Sequence, residues 1–167
     1  MKDEVKLKIL KPNVLTKNVL DWYKDKDVIK FSDNQYRKIT MKSQTKYINE
    51  CLKSDIKFLY GIFYNDYYIG NIIITNIYYY HKTGEISFFI GEKLFWGKGI
   101  MTEAISKIIE IAKNELNLKK LCAGVVSDNI ASIKTFEKNG FIKEGVRKNH
   151  LIYDEKVYDQ FDYALFL

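Results

Sequence analysis

The sequence predicts an α/β fold in which a mixed β-sheet carries helices on both faces. Three observations lead there. Segments rich in β-branched and aromatic residues, residues 57–64 and 67–77 among them, recur along the chain with short turns between them, as half-buried strands do. In mid-chain Met101, Ala104, Ile105, Ile108, Ile111, Ala112 and Leu116 fall on one side of a helix, the stripe of a helix packed on a sheet. Residues 146–153 and 156–166, parted by Asp154-Glu155, read as a closing antiparallel hairpin.

Taken in order, Val5, Leu7 and Ile9 alternate with lysines, giving a first strand with one wet face, and Pro12 with Asn13 ends it. Residues 14–23 and 42–53 carry helical apolar spacing. Between them Phe31-Ser32-Asp33-Asn34-Gln35-Tyr36-Arg37 is polar and aromatic without a period, a loop suited to cover a substrate. Strands 57–64 and 67–77 turn at Asn65-Asp66, and a fourth strand covers residues 85–90. After the striped helix come a buried strand at 121–126 and a short helix at 131–138, capped near Asp128 or Asn129 and stopped at Gly140. No repeat, low-complexity segment or linker interrupts the pattern, so a single domain over residues 1–167 is expected.

A chain of 167 residues can bury a core without metal or disulfide support. Cys51 and Cys122 lie far apart with no paired spacing, and Met1-Lys2-Asp3-Glu4-Val5-Lys6 holds no apolar signal segment, which suggests a reducing, cytoplasmic setting. No apolar run approaches the roughly 20 residues that span a bilayer, and no Cys or His spacing matches a zinc site, so neither membrane nor metal is expected. The formal charge of +6 suits an anionic ligand, but the lysines are scattered, which speaks for a solvated surface and against a nucleic-acid partner. Tyr64, Tyr67, Tyr68 and Tyr78-Tyr79-Tyr80 surround the central hairpin, either as half-buried strand residues or as the lining of a substrate pocket.

The chemistry concentrates in Phe88-Phe89-Ile90-Gly91-Glu92-Lys93-Leu94-Phe95-Trp96-Gly97-Lys98-Gly99-Ile100-Met101-Thr102-Glu103-Ala104, where a strand runs through a glycine-rich turn into the striped helix. Gly97 and Gly99 let the backbone approach a ligand, and the first free N–H groups of the helix point outward at the positive end of its dipole; an anion belongs there. Ahead lies Gly84-Glu85-Ile86-Ser87-Phe88-Phe89-Ile90, and downstream Asn129-Ile130-Ala131-Ser132-Ile133-Lys134-Thr135-Phe136-Glu137-Lys138-Asn139-Gly140-Phe141. Together these segments resemble the GCN5-related N-acetyltransferase (GNAT) family. The wording from Trp96 to Ala104, with Glu144-Gly145-Val146-Arg147-Lys148-Asn149-His150, is similar to its branch of ribosomal-protein N-terminal, polyamine and nucleotide-sugar acetyltransferases. The resemblance covers nearly the whole chain. It implies the GNAT fold, a mixed, mostly antiparallel sheet of about seven strands with helices on both faces, with acetyl-CoA (coenzyme A) as donor and no metal.

Residue by residue, the resemblance implies that the donor's pyrophosphate lies on the backbone N–H groups of Gly97, Lys98, Gly99, Ile100, Met101 and Thr102, with Lys98 adding charge. The pantetheine arm would run as a pseudo-strand beside Phe89, Ile90 and Gly91, and Asn129 would bond its amide, a role compatible with capping the helix. Where the family usually has Arg or Gln this chain has Trp96, and where it has Gly or Ala this chain has Met101; main-chain donors make both tolerable. Glu85 stands where GNAT enzymes commonly carry a catalytic glutamate, needed because a free alkylamine has a pKa of about 10 and must lose a proton before attack. The alternative is a glutamate that only orients substrate or pairs with a lysine. Beside the cofactor, Phe136 takes the place of a tyrosine that protonates the leaving thiolate in many relatives, so Ser132 inherits that role; otherwise the thiolate leaves unprotonated, or Tyr153 or Tyr158 serves it.

Three acceptor classes fit the branch. Polyamines call for clustered carboxylates, which the 31–37 loop lacks. A protein N-terminus fits any open groove. A nucleotide-linked amino sugar needs cationic or aromatic groups, and residues 74–85 with Arg147, Lys148 and His150 resemble the sugar N-acetyltransferases of pseudaminic-acid and related surface-glycan pathways. The expected partner is thus a small-molecule amine or amino sugar, with a homodimer compatible. The competing readings are a degenerate GNAT domain that binds acetyl-CoA without transferring acetyl, and a basic nucleic-acid-binding module.

Overall fold

The alternating segments form β1 (Val5–Ile9), β2 (Phe58–Tyr64), β3 (Tyr67–Tyr78), β4 (Thr83–Ile90), β5 (Lys120–Val126), β6 (Ile142–Tyr153) and β7 (Lys156–Phe166), which join one sheet in the order β1-β2-β3-β4-β5-β7-β6. The computed structural model of the protein describes residues 4–167; Met1 to Asp3, part of the opening read for the lack of a signal segment, lie outside the described residues. Neighbouring strands are antiparallel except β4 and β5, which are parallel. Two hairpins close through residue pairs with positive φ, Asn65-Asp66 and Asp154-Glu155, the conformation that matches strand twist.

Helices α1 (Lys17–Trp22), α2 (Lys26–Ile29), α3 (Met41–Leu52), α4 (Ile100–Asn114) and α5 (Ile130–Lys138) cover the sheet. Ile100, Ala104, Ile105, Ile108 and Ala112 of α4 pack on Ile62, Ile69, Ile72, Ile74 and Ile86, forming the main core. Each fully buried isoleucine there contributes roughly 1.5–3 kcal/mol. On the opposite face Ile48 and Cys51 of α3 meet Leu10, Leu59 and Ile73. Both cysteines are free thiols.

Two expected boundaries move. The helical spacing over 14–23 resolves into a tight turn at Pro12–Val14 and a helix that starts only at Lys17, because the Thr16 hydroxyl accepts the Val19 N–H at 3.3 Å and fixes the start there. The strand expected from residue 146 begins at Ile142, paired with Ala164; a register irregularity between Lys143 and Gly145 breaks the alternation that would have revealed it.

One feature of the sheet creates the site. Parallel pairing of β4 with β5 runs only from Thr83↔Lys120 to Glu85↔Cys122. Beyond it β4 stays with β3 and β5 with β7, so the sheet parts and the edge of β4 toward Ile90 is left without a strand.

Candidate active site

A cleft of about 1030 Å³ occupies this parting, bounded by Ser87 to Ile90 of β4, by Asn129 and Ser132 at the start of α5, and by Trp96, Gly97 and Met101 at one end. At that end the chain turns into α4 through Gly97 (φ 72°) and Gly99 (φ 76°), the latter the N-cap in left-handed conformation. A Cβ on either glycine would meet nothing within 4 Å, so glycine is needed for backbone conformation alone and the space in front is open. Among the described residues, the N–H groups of residues 97–102 make no main-chain hydrogen bond; the first helical bond is Glu103 N–H to Gly99 C=O at 3.1 Å. The result is a fan of donors at a helix N-terminus, an anion cradle. The Lys98 ammonium lies beside it, 5.4 Å from the Phe95 ring centre.

Gly91 differs from the other two. A Cβ there would fall 2.0 Å from Trp22, so that glycine admits the indole, and its N–H donates to Ile69 C=O at 2.9 Å. The Trp96 indole donates to Ile90 C=O at 2.9 Å, which closes the turn. The Phe89 ring packs edge-on against Tyr23 and Trp22. Tyr68 donates to Asn71 Oδ1 at 2.6 Å, and Tyr23, its hydroxyl pushed up to about 12 by burial, shares the same carboxamide.

The 31–37 segment lines the cleft, and both it and the helices that lead into it are fastened. At its tip Tyr36 donates to Ile152 C=O at 2.6 Å and stacks on Tyr153, whose hydroxyl donates to Asp33 Oδ1 at 3.1 Å. Phe31 sets its edge against Tyr153 and Tyr158. Burial and the neighbouring Asp33 push the Tyr153 hydroxyl up to about 12, so it remains a donor. At the root, the Trp22 indole donates to Glu92 at 2.9 Å, and Lys93 bridges Asp25 (2.8 Å) and Asp27 (2.9 Å), which holds the Asp25 carboxyl below the usual range.

The other residues singled out in the sequence fall as follows. Glu85 sits at the apex of the parting, on the same face of β4 as Ser87 and Phe89; it is exposed, does not line the cleft, and accepts a 2.9 Å bond from Asn76 Nδ2. Asn129 lines the cleft and caps α5, its Oδ1 accepting the Ser132 N–H at 3.2 Å. Ser132 also lines the cleft, its hydroxyl without a hydrogen bond among the described residues. Ile100 is buried against the core, and Thr102 is half-buried in the first turn of α4. Phe136 is only 3% exposed; its ring is packed among Phe88, Phe141 and Tyr163 and does not line the cleft. Tyr153 and Tyr158 hold the lid.

Sequence reasoning missed the far wall. There Lys30, Arg37 and Lys38 line the cleft, and among the described residues none of the three joins an ion pair. The two carboxylates of the lining, Asp27 and Asp33, are engaged by Lys93 and Tyr153. Gln44, 9% exposed, also belongs to this wall. A signal existed for it: Gln44, Ile48 and Cys51 share one helical stripe, so a polar residue stands on a sheet-facing position. Among the described residues no helix is long and apolar enough to cross a membrane, and no group of His, Cys, Asp or Glu could hold a metal ion.

A family model described as an acetyltransferase (GNAT) domain matches residues 10–142. The "Probable N-acetyltransferase YjcK" of Bacillus subtilis is 38% identical over 117 residues, 66% of this chain and 64% of that protein, so the chain spans less than two thirds of the relative's length. Among solved structures, the spermidine N-acetyltransferase from Vibrio cholerae in complex with CoA and spermine has a TM-score of 0.86 at 16% identity, covering 97% of this chain and 95% of that one. The Microcin C7 self immunity acetyltransferase MccE in complex with acetyl-CoA and AMP has a TM-score of 0.84 at 22% identity, covering 98% and 93%. At such identities the two structures speak for the fold alone.

Proposed function

The chain belongs to the GNAT acetyltransferase family, and on that premise we propose that it moves an acetyl group from acetyl-CoA to the primary amine of a small acceptor held beneath the lid, a nucleotide-linked amino sugar being the favoured class. One observation carries the reading: a single cleft joins the N–H cradle at residues 97–102 to a lidded, cationic wall at Lys30, Arg37 and Lys38. The cradle takes the donor's pyrophosphate, and the strandless edge of β4 accepts the pantetheine arm as a further strand. Glu85, directly or through water, takes the proton that the ammonium must lose. In this reading main-chain N–H groups on the β4 edge stabilise charge on the carbonyl oxygen, and as the C–S bond breaks the Ser132 hydroxyl donates to the departing sulfur. Asn129 bonds the pantetheine amide while it caps α5.

The wall supports an anionic acceptor over the alternatives. A polyamine needs clustered carboxylates, and the lining offers only Asp27, paired with Lys93, and Asp33. A protein N-terminus needs an open groove, and here the lid is fastened to the β6–β7 hairpin. MccE, of the same fold, holds AMP together with acetyl-CoA. The test is free-thiol release from acetyl-CoA with a panel of amines. Release that depends on a nucleotide-linked amino sugar, and exceeds that with spermidine or N-terminal peptides, is expected. Donor binding without amine-dependent release by any acceptor would reduce the protein to a non-catalytic binder.

A further inference from the structure

We propose that Gln44, Arg37 and Lys38 form a phosphate-reading subsite for the acceptor, separate from the cradle that takes the donor; the inference rests on the acetyl-transfer reading above. It begins with Gln44. Aromatic and cysteine side chains aside, this is the one buried side chain among the described residues that carries a polar group, at 9% exposure, and its carboxamide has no hydrogen bond to the protein. No side-chain polar atom buried among the described residues lacks a partner, so the Gln44 amide reaches solvent at the cleft it lines, and it is free to bond an occupant there.

The neighbours are already committed. The Ser43 hydroxyl donates to Thr40 C=O at 3.0 Å and accepts the Thr40 N–H at 2.9 Å, closing the capping box of α3. Asn71 is shared by Tyr23 and Tyr68. The Gln44 amide therefore holds free donor and acceptor capacity on the α3 side of the cleft, as Asn34 does on the lid, and Arg37 and Lys38 hold free positive charge, while Lys30 lies over the Phe31 ring. A guanidinium fork, an ammonium and an amide donor lining one cleft match phosphate oxygens, while the Gln44 carbonyl can accept from a hydroxyl or base N–H of the same ligand. The ligand class is a phosphate ester or nucleoside diphosphate bearing the acceptor amine.

The test uses the full chain saturated with CoA, so that the donor cradle is filled, and titrates UDP and, separately, inorganic pyrophosphate by calorimetry. Wild type should bind UDP in the presence of CoA. Arg37→Ala should weaken UDP binding by about 10- to 100-fold, as for a charged hydrogen-bonded contact, and Gln44→Leu by about 3- to 10-fold, with CoA affinity unchanged in both. Gln44→Glu keeps the volume and sets a like charge against phosphate, so it should bind UDP more weakly than Gln44→Leu. Binding by Gln44→Glu as tight as wild type overturns the proposal, as does CoA-loaded wild type that takes neither UDP nor pyrophosphate. Wild type that takes no CoA at all is a different failure, that of the acetyl-transfer reading itself.

Discussion

Replacing Gly99 with alanine separates conformational need from steric need at the donor cradle. Gly99 has φ 76°, and a Cβ placed on it meets nothing within 4 Å. The methyl group therefore costs only what the left-handed conformation costs an L-residue, about 1–2 kcal/mol. If the turn keeps its shape, that cost falls on folding. If the turn relaxes to negative φ, the fan of N–H groups disperses and CoA affinity falls instead, by about 5- to 30-fold for the same energy. Urea unfolding and CoA calorimetry on one preparation should give losses that sum to about 1–2 kcal/mol. Gly99→Asp carries the same backbone cost and adds a carboxylate facing the pyrophosphate, so its CoA affinity should fall well below that of Gly99→Ala. Gly91→Ala is the contrast: its Cβ would collide with the Trp22 ring at 2.0 Å, an overpacking that should cost about 1–3 kcal/mol of stability. Unchanged stability and unchanged CoA affinity in Gly99→Ala would refute the reasoning, and so would Gly99→Asp binding CoA as well as Gly99→Ala does.

Ser132→Ala should lower turnover by about 5- to 150-fold, the loss of a hydrogen bond of about 1–3 kcal/mol to charge on sulfur, with little change in CoA affinity; full activity would leave Ser132 with a purely structural place beside the α5 cap. Glu85→Gln should slow turnover on the order of 10²-fold with donor affinity barely changed, and a wild-type rate at every pH would demote Glu85 to a partner of Asn76. Tyr153→Phe removes the bond to Asp33 while keeping the stack on Tyr36, so it should raise the acceptor KM a few-fold and leave CoA affinity alone. An unchanged acceptor KM would show that the lid does not gate acceptor binding.

What the sequence disclosed and what it withheld divide along a physical line. Local rules found α4 from its stripe, the Asn65-Asp66 and Asp154-Glu155 turns, the glycine turn and a cap at Asp128 or Asn129, of which the structure uses Asn129, because each depends on residues a few positions apart. The lid's fastening joins Tyr36 to Ile152 and Asp33 to Tyr153, contacts between distant parts of the chain that no periodicity encodes. Phe136 was expected beside the donor because of its motif position, yet the spacing in a motif does not say which way a helix turns its ring; packing with Phe88, Phe141 and Tyr163 decided that. Arg37 stood inside the loop expected to cover the substrate, but its freedom from an ion pair emerges only when Asp27 and Asp33 find other partners.

The root of the lid is fastened to Glu92 and Lys93, in the stretch that leads directly into Gly97 and Gly99. A donor that shifts this stretch on binding would shift the lid's root with it, and such a linkage is reciprocal. Its size is bounded by the fastenings. The ion pairs of Lys93 with Asp25 and Asp27 are partly solvated and worth about 0–1 kcal/mol each, and the bond from Trp22 to Glu92 about 0.5–1.5 kcal/mol. Since donor binding can shift only a fraction of that sum, the synergy between the two ligands stays near tenfold or below. Because the coupling is reciprocal it favours neither order of addition, and the expected outcome in calorimetry is that CoA and acceptor each tighten the other's binding by the same factor.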